Sequence, residues 1–150
     1  MTSLGARGDT AAEMKNVLGI TSLGESVHSI YRETIQQLNS QSDVQPLTGN
    51  AIFINPSMPI LPAFIQETAN KYFALTDHFE FYAKKSPVET INDYIEFKTK
   101  HMIKDLYKPE SIVSMGSLVM LLVSTLFFNG TWDSPFDEAQ TRKQDFKLLD

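Results

Sequence analysis

Cysteine is absent from this chain of 150 residues, and positive charge is scarce. Without cysteine the chain forms no disulfide and performs no thiolate chemistry, although this leaves its compartment open. Thirteen lysines and arginines stand against eighteen aspartates and glutamates, which gives a net charge of −5. Nucleic-acid-binding proteins carry a basic patch or stripe. We therefore expect neither a disulfide-stapled fold nor a nucleic-acid partner.

Motifs of catalysis and metal binding are also missing. The sequence has no Gly-rich phosphate loop and no nucleophile elbow. Its three histidines, His28, His78 and His101, do not have the spacing of metal ligands. Ser3 and Ser124 belong to no pattern that indicates a catalytic triad, although a triad is assembled in space and spacing alone does not exclude one. We expect no enzyme, no metal site and no cofactor.

Long apolar runs are lacking too. The run from Leu118 to Phe128 is too short to cross a bilayer, which needs about 20 apolar residues. It is also too uniformly apolar for a strand with one wet face, so it predicts a central strand of a large sheet, covered on both sides. The first five residues have neither a charged nor an apolar region, and no signal peptide is expected in this chain. No membrane partner is expected either.

Start and stop signals divide the chain into helices. Three capping boxes predict helix starts, namely Thr10 with Glu13, Ser22 with Glu25, and Ser86 with Glu89. Pro62 predicts a fourth start, and Gly19 predicts a left-handed end to the first helix. Apolar spacing extends the last helix to Leu106. The predicted inner faces are Val27, Ile30, Tyr31, Ile35 and Leu38 in the second helix, and Phe64, Ile65, Ala69, Tyr72 and Phe73 in the third.

Strands alternate with these helices. Leu47 to Ile54 reads as one strand, ended by a proline, and His78 to Ala83 as a short alternating strand with Phe79 and Phe81 on one side. A polar loop is expected over 39–43, and the last five residues look like part of a strand. The order is mixed α and β without an internal repeat, in a chain long enough for one domain.

Four motifs in sequence order carry a family resemblance. They are Asp9-Thr10 through Leu18-Gly19, then Thr48 to Phe53, then Ile91-Asn92-Asp93-Tyr94 with Thr99 and Ile103, and finally Phe128-Asn129-Gly130-Thr131-Trp132 with Pro135-Phe136. In these motifs the chain resembles the serpins, nearest to the secreted antitrypsin-like group. The resemblance implies an α+β serpin fold fragment, with helices C to F packed on strands of sheet A and running into sheet C. Residues 1–150 would form one partial domain without helix A, most of helix B and the C-terminal half.

The serpin resemblance also implies a function, that of a secreted, extracellular inhibitor of serine proteases. A protease cleaves the reactive loop of a serpin and stays acylated to it while the loop inserts into sheet A. That loop would lie beyond Asp150, so this chain contains no reactive bond and should not inhibit alone. A non-inhibitory serpin, acting as a hormone carrier, chaperone or storage protein, stays open as the alternative. No heparin site is expected on the helix D stretch, where Arg32 and His28 face Glu25 and Glu33.

Four residues become candidates for the opening of the sheet: Trp132, Ser124, Asn50 and Asn92. Trp132 would lie at the top of strand 3A, where insertion starts, or simply anchor the end of a core strand. Asn50 is either a hydrogen-bonding switch or a partner for nearby backbone groups, and Asn92 a packing or capping group. Most serpins carry asparagine at the position of Ser124. A hydroxyl offers one donor where an amide offers two. We therefore expect the hydrogen bonding that holds the centre of sheet A closed to be weaker or rearranged at Ser124.

Asn129-Gly130-Thr131 is a glycosylation sequon in a predicted turn, which is the exposed setting that glycosylation requires. Asn129 is therefore a candidate glycan acceptor. Asn55 is not one, because proline follows it.

The last predicted strand would have an unpaired side in a fragment of this fold. A long, apolar, exposed strand is an aggregation site. We therefore expect these 150 residues alone to be poorly soluble or partly unfolded.

Overall fold

The structure, a computed structural model, describes residues 1–40, 47–79, 85–111 and 118–145. The helices are α1 (Gly8–Val17), α2 (Ser26–Ser40), α3 (Pro62–Tyr72) and α4 (Pro87–Lys98), and the strands are β1 (Leu47–Ile54), β2 (Ala74–His78) and β3 (Met120–Phe127). Three one-turn 3-10 helices cover Thr2–Leu4, Thr21–Leu23 and Glu138–Gln140. No helix in the described ranges is both long and apolar enough to span a membrane.

The three strands form one mixed sheet in the order β2-β1-β3. Strands β1 and β2 are parallel and are joined through α3, as a parallel pair requires a crossover. Strands β1 and β3 are antiparallel, and their register places Asn50 opposite Ser124 and Ala51 opposite Val123. The centre of the described sheet is therefore β1.

Helices cover the two faces of this sheet. On one face α4 packs its buried side chains against β1 and β3, in a cluster of Ala51, Phe53, Phe79, Val88, Ile91, Ile95 and Val123. On the other face α2 and α3 meet the sheet around Ile35, Tyr72 and Ala74. Successive side chains of a strand point to opposite faces. Ala51 and Phe53 of β1 therefore belong to the cluster under α4, while Ile52 and Ile54 are buried on the other face.

Several predicted elements are confirmed. Strand β1 has the predicted bounds, and Pro62 is the first residue of α3. Ser86 and Glu89 form the predicted capping box, in which the Glu89 amide donates to Oγ of Ser86 at 3.3 Å and the Ser86 amide donates to the Glu89 carboxylate at 2.7 Å. Gly19 has a φ of +67° and ends α1 in the left-handed turn that glycine favours.

Two predicted capping boxes are wrong. Helix α1 begins at Gly8, before Thr10, and no side chain caps it. Helix α2 begins at Ser26, because residues Thr21–Leu23 form a 3-10 turn. The Glu25 carboxylate, which the box required at the backbone, instead pairs with Lys15 at 3.1 Å. A tertiary ion pair has replaced a local cap.

The predicted continuation of α4 to Leu106 is also wrong. The helix ends at Lys98, where the Thr99 hydroxyl donates back to the Ile95 carbonyl at 2.8 Å. Lys100 and His101 then take left-handed backbone angles, with φ of +51° and +62°, which a continuing helix cannot include. The apolar side chains beyond this point, Met102, Ile103 and Leu106, are exposed.

The predicted inner faces of α2 and α3 were only partly right. Val27 and Ile35 of α2 are buried, but Ile30 and Tyr31 are exposed. In α3 the fully buried residue is Thr68, whose hydroxyl lies 2.7 Å from that of Thr76 on β2. Ile65, Ala69 and Phe73 are exposed. The apolar pattern did not predict that Thr68 is buried, because threonine is polar and its burial depends on the hydrogen bond to Thr76.

Two predicted boundaries next to the undescribed residues are also shifted. Strand β2 covers Ala74–His78, whereas the predicted strand began at His78. Residues 80–83 of that prediction lie outside the described residues, and so does the strand expected at 146–150. Helix α2 continues through Ser40, into the expected loop, whose remaining residues 41–43 also lie outside the described part.

Strand β3 is not covered on both sides. Val123 is 7 % exposed, whereas Leu122 is 48 % and Leu126 is 67 % exposed. Helix α4 contacts β3, but on the opposite face α2 contacts β1 and α3 contacts β2. The predicted central strand is therefore an edge strand of the described sheet, with one open apolar face.

Candidate functional site

The candidate site is the outer edge of β3 together with the polar side chains behind it. One edge of β3 pairs with β1, and among the described residues no strand pairs with the other edge. A free edge presents backbone N–H and C=O groups to which a further strand can be added. In the described part of the chain, this edge therefore has backbone groups to which an extended segment could hydrogen-bond.

Asn50, in the middle of β1, connects the site to three neighbouring elements. Its side-chain amide donates to the Tyr72 carbonyl of α3 at 3.1 Å, and its side-chain oxygen accepts from the Ser124 hydroxyl of β3 at 3.1 Å. Its backbone carbonyl accepts from the Tyr94 hydroxyl of α4 at 2.6 Å. The side chain thus satisfies nearby polar groups, as one interpretation of Asn50 requires, while its role as a switch stays a prediction.

Ser124 uses its single donor on Asn50. In the next position, the Thr125 hydroxyl donates to the Gly49 carbonyl at 3.2 Å. These two hydrogen bonds join β3 to β1 from opposite faces of the sheet, in addition to the backbone ladder. Strand β3 is therefore fixed firmly on its inner side, while its outer edge stays open.

His28 extends the hydrogen-bonded chain from the sheet to α2. The ring is 4 % exposed, and its Nδ1 lies 2.6 Å from the Tyr72 hydroxyl. Burial lowers the pKa of His28, and the Glu25 carboxylate, 3.8 Å from Nε2, opposes this effect. Burial raises the pKa of Tyr72 to about 12, so its hydroxyl keeps its proton at neutral pH. Hydrogen bonds thus run from α2 through α3 to the centre of the sheet.

Asn92 holds the segment that follows α4. Its side-chain amide donates to the Tyr107 carbonyl at 2.7 Å, and its side-chain oxygen accepts from the Tyr107 amide at 2.9 Å. The Asn92 side chain thus satisfies both the backbone N–H and the backbone C=O of Tyr107. The segment so held, with Ile103 and Leu106, lines a cavity of about 270 Å³ beside residues 122–126 of β3.

Trp132 and Asn129 lie beyond the end of β3, away from this polar chain. The Trp132 side chain is 78 % exposed and does not anchor the end of the strand against the described core. Asn129 is exposed, in the setting that was expected for a sequon. The structure brings Asn50 and Ser124 together and leaves Asn92, Asn129 and Trp132 separate from them.

The histidines and acidic residues form no metal centre in the described ranges, where no group of three potential ligands is found. His78 contacts the Met58 carbonyl at 2.9 Å through Nε2, and His101 contacts the Glu96 carboxylate at 2.9 Å through Nδ1. Each of the three rings has a hydrogen-bonding partner of its own.

Sequence reasoning missed four residues of the site: Tyr94, Tyr72, His28 and Gly49. The two tyrosines and the histidine have helical positions that also suit an apolar core, so their hydroxyl and ring contacts had no local signal. Gly49 had one, because a glycine inside a strand indicates close approach of another chain segment. A Cβ atom there would lie 2.7 Å from Cβ of Lys98.

Comparison with known proteins gives one consistent family. The family model described as "Serpin (serine protease inhibitor)" matches residues 1–150. The chain is 33 % identical to alpha-1-antiproteinase of Rattus norvegicus over 99 % of its length, and 34 % identical to plasma serine protease inhibitor of Bos taurus over 97 %. In both cases it covers 36 % of the relative. The chain therefore spans about a third of the length of these relatives.

Solved structures agree with this comparison. Serpin48 of the insect Tenebrio molitor, described as a highly specific serpin, matches with a TM-score of 0.78 and 27 % identity over 96 % of this chain and 39 % of that chain. Human glycosylated kallistatin matches with the same TM-score and identity over 97 % and 39 %. The α+β arrangement of α1–α4 and β1–β3 is thus also found in these solved structures.

Proposed function

Because this chain belongs to the serpin family, we propose that it forms the N-terminal part of a secreted, extracellular inhibitor of serine proteases. In this proposal α1–α4 correspond to helices C to F, and β2, β1 and β3 to strands 1A, 2A and 3A. The family match over residues 1–150 carries the proposal, and β3, at the edge of the described sheet, would be the strand beside which the loop inserts. The chain alone, which spans about a third of its relatives, would not inhibit.

In the proposed mechanism, the protease cleaves a reactive loop outside this chain, and this chain provides the strand beside which the loop inserts. The protease serine attacks a loop carbonyl, the peptide bond breaks, and the acyl group stays on the serine. The freed loop then adds to β3 as a new strand, which releases stored strain and carries the protease along. Residues 1–150 would supply no catalytic group, only the edge that receives the strand.

Within this mechanism Trp132, Ser124, Asn50 and Asn92 have structural roles. The exposed Trp132 would mark the end of β3 at which insertion starts. Asn50 and Ser124 would keep β3 on β1 while its outer edge changes partner, since their hydrogen bond lies on the inner side. Asn92 would hold the segment beside the receiving edge through Tyr107.

A chimera tests the proposal. The part of rat alpha-1-antiproteinase that matches this chain would be replaced by residues 1–150, and the product incubated with a panel of serine proteases. We expect an SDS-resistant complex between chimera and protease, with the unmodified rat protein as the positive control. Loop cleavage of a folded chimera without any such complex would contradict an insertion-competent edge.

Ser124 favours a second candidate, a non-inhibitory serpin. Its hydroxyl makes one hydrogen bond to Asn50, where an asparagine side chain could donate two. Weaker or rearranged hydrogen bonding at the centre of the sheet would suit a serpin whose reactive loop inserts differently. In the chimera, Ser124→Asn should therefore change the thermal unfolding temperature. An unchanged unfolding temperature would exclude the hypothesis that Ser124 weakens the hydrogen bonding at the centre of the sheet.

We also propose that Asn129 carries a glycan in the secreted protein. The side chain is exposed and the sequon is intact. Expression in a secreting eukaryotic host followed by glycopeptide mapping should find the sugar on Asn129, and a fully unmodified peptide would contradict this.

Heparin binding is not part of the proposed function. Arg32, the single arginine or lysine of α2, donates to the Asn70 carbonyl and lies 5.0 Å from the centre of the Phe73 ring. A cation that is already engaged contributes little to binding a sulfated chain. Retention of the protein on a heparin column at physiological salt would contradict this.

A further inference from the structure

One asparagine differs from the other six because its side chain makes no hydrogen bond to the described residues and it also lies outside every described helix. Four hold theirs in hydrogen bonds, namely Asn39, Asn50, Asn55 and Asn92. Two lie within α1 and α3, namely Asn16 and Asn70. Asn129 is exposed, lies beyond β3 and makes no side-chain hydrogen bond to any residue that the structure describes. Its carboxamide is therefore free to turn toward the backbone.

The residue after Asn129 is glycine, which follows no other asparagine of this chain. Gly130 has no Cβ atom to shield its backbone nitrogen. It is exposed, forms a single isolated β-bridge, and is not among the glycines with a left-handed φ. Opening of this one bridge would release the backbone around Gly130 from its strand partner.

We propose that Asn129 is a site of spontaneous deamidation. The backbone nitrogen of Gly130 attacks Cγ of Asn129 and forms a new C–N bond, which closes a succinimide ring. The bond from Cγ to Nδ2 breaks, and Nδ2 leaves as ammonia with the proton from the Gly130 nitrogen. Water then opens the ring at either carbonyl and yields aspartate or isoaspartate. The net reaction consumes one water and releases one ammonia, without an oxidant or a reductant.

The reaction changes the end of β3 in two ways. It adds a carboxylate four positions before Asp133, and the isoaspartate product also places an extra methylene in the backbone directly after the strand. It removes the nitrogen to which an N-linked glycan is attached. Glycosylation and deamidation of Asn129 therefore exclude one another.

The test uses the rat alpha-1-antiproteinase chimera described above, made in bacteria, which leaves Asn129 without a glycan. The folded protein is kept at body temperature in mildly alkaline buffer, sampled over time, digested and mapped by mass spectrometry. Isoaspartate is then identified by enzymatic methylation of the peptides. We expect aspartate and isoaspartate to accumulate in the peptide that contains Asn129, while peptides with Asn16, Asn39 and Asn70 stay unchanged and serve as internal references.

The matched variant is Gly130→Ala, which keeps the asparagine and the sequon. Because alanine adds the missing Cβ atom and restricts the backbone, conversion at position 129 should be several-fold slower. Circular dichroism checks that the variant folds, and Asn129→Gln gives a second comparison in which the product should be absent. Conversion at Asn129 no faster than at the reference asparagines, or an unchanged rate in a folded Gly130→Ala, would overturn the proposal.

Discussion

At the scale of single residues, Gly49 marks a close approach between α4 and β1. A Cβ atom at this position would lie 2.5 Å from Oγ1 of Thr125 and 2.6 Å from Cγ of Lys98. Such contacts force a helix and a strand apart, so we expect Gly49→Ala to lower the free energy of unfolding by about 1–3 kcal/mol. Urea unfolding followed by circular dichroism measures the loss.

The control for Gly49 is Gly5→Ala. A Cβ atom there would meet the edge of the Phe64 ring at 3.1 Å, which is the far end of a side chain that can rotate. The loss should be clearly smaller. Equal losses in the two variants would show that close contact with α4 is not what requires glycine at position 49.

His28 gives the chain a predicted dependence on pH. Burial lowers its pKa below the ordinary value of 6.5, mainly by removing the ring from water, and Lys15, Lys71 and the N-terminus add to this while Glu25 opposes it. The unfolded state then binds more protons than the folded state near and below pH 6.5. Stability is therefore full above pH 6.5, and we expect the free energy of unfolding to fall as the pH is lowered through this value.

The variant His28→Asn tests this pH dependence, because it keeps a polar atom near the Tyr72 hydroxyl and removes the titrating ring. Unfolding in urea at a series of pH values should show a flatter profile than the parent chain. The matched control is His101→Asn, at a side chain that is 69 % exposed, which should keep the parent profile. An unchanged profile in His28→Asn would contradict the assignment.

At the scale of elements, the capping box at Ser86 is confirmed and the one at Thr10 is wrong. Ser86 caps α4 in a reciprocal pair with Glu89, whereas Thr10 lies inside α1 and caps nothing. We expect Ser86→Ala to lower stability by about 1 kcal/mol, the usual cost of losing a cap, and Thr10→Ala to cost much less. Thermal unfolding of the two variants provides the comparison. If both lost the same stability, the structural difference between the boxes would be wrong.

These two boxes also show what the sequence could predict about the elements. The local patterns placed β1, the start of α3 and the start of α4 correctly, because proline and a reciprocal cap act within a few residues. The start of α2 failed because Glu25 pairs with Lys15 across a turn, a contact that no local pattern contains. The end of α4 failed because two left-handed residues follow apolar spacing that continues past them.

The sequence predicted individual residues of the candidate site but not how they contact one another. Asn50 and Ser124 were singled out separately, and only the pairing of β1 with β3 places them opposite one another. The contacts of Tyr94, Tyr72 and His28 join four elements that are distant in sequence. Polar groups on otherwise apolar helix faces have no periodic signal, so their roles follow only from the packed structure.

At the scale of the whole molecule, the open side of β3 predicts self-association. The strand combines an unpaired edge among the described residues with exposed Leu122 and Leu126. Edges of this kind pair with other copies unless charge interrupts them. We expect the 150-residue chain to form oligomers as its concentration rises, and Leu126→Lys to reduce them in sedimentation experiments.

Leu61→Lys is the control for self-association, since Leu61 is 74 % exposed but lies outside the sheet. It should leave the oligomers unchanged, because the added charge is not on the strand that pairs. A parent chain that stays a monodisperse monomer with cooperative melting would contradict the prediction.

The strand order of the sheet also has a consequence for the synthesis of the protein on the ribosome. Strand β1 is central, but its partner β3 is translated last of the three, after α3, β2 and α4 have all emerged. Chains grow at about 5–20 residues per second, so one side of β1 waits for several seconds before its partner exists. During that interval the nascent chain exposes the apolar centre of its own sheet. The order of the strands thus makes β1 a natural binding segment for chaperones that act during translation.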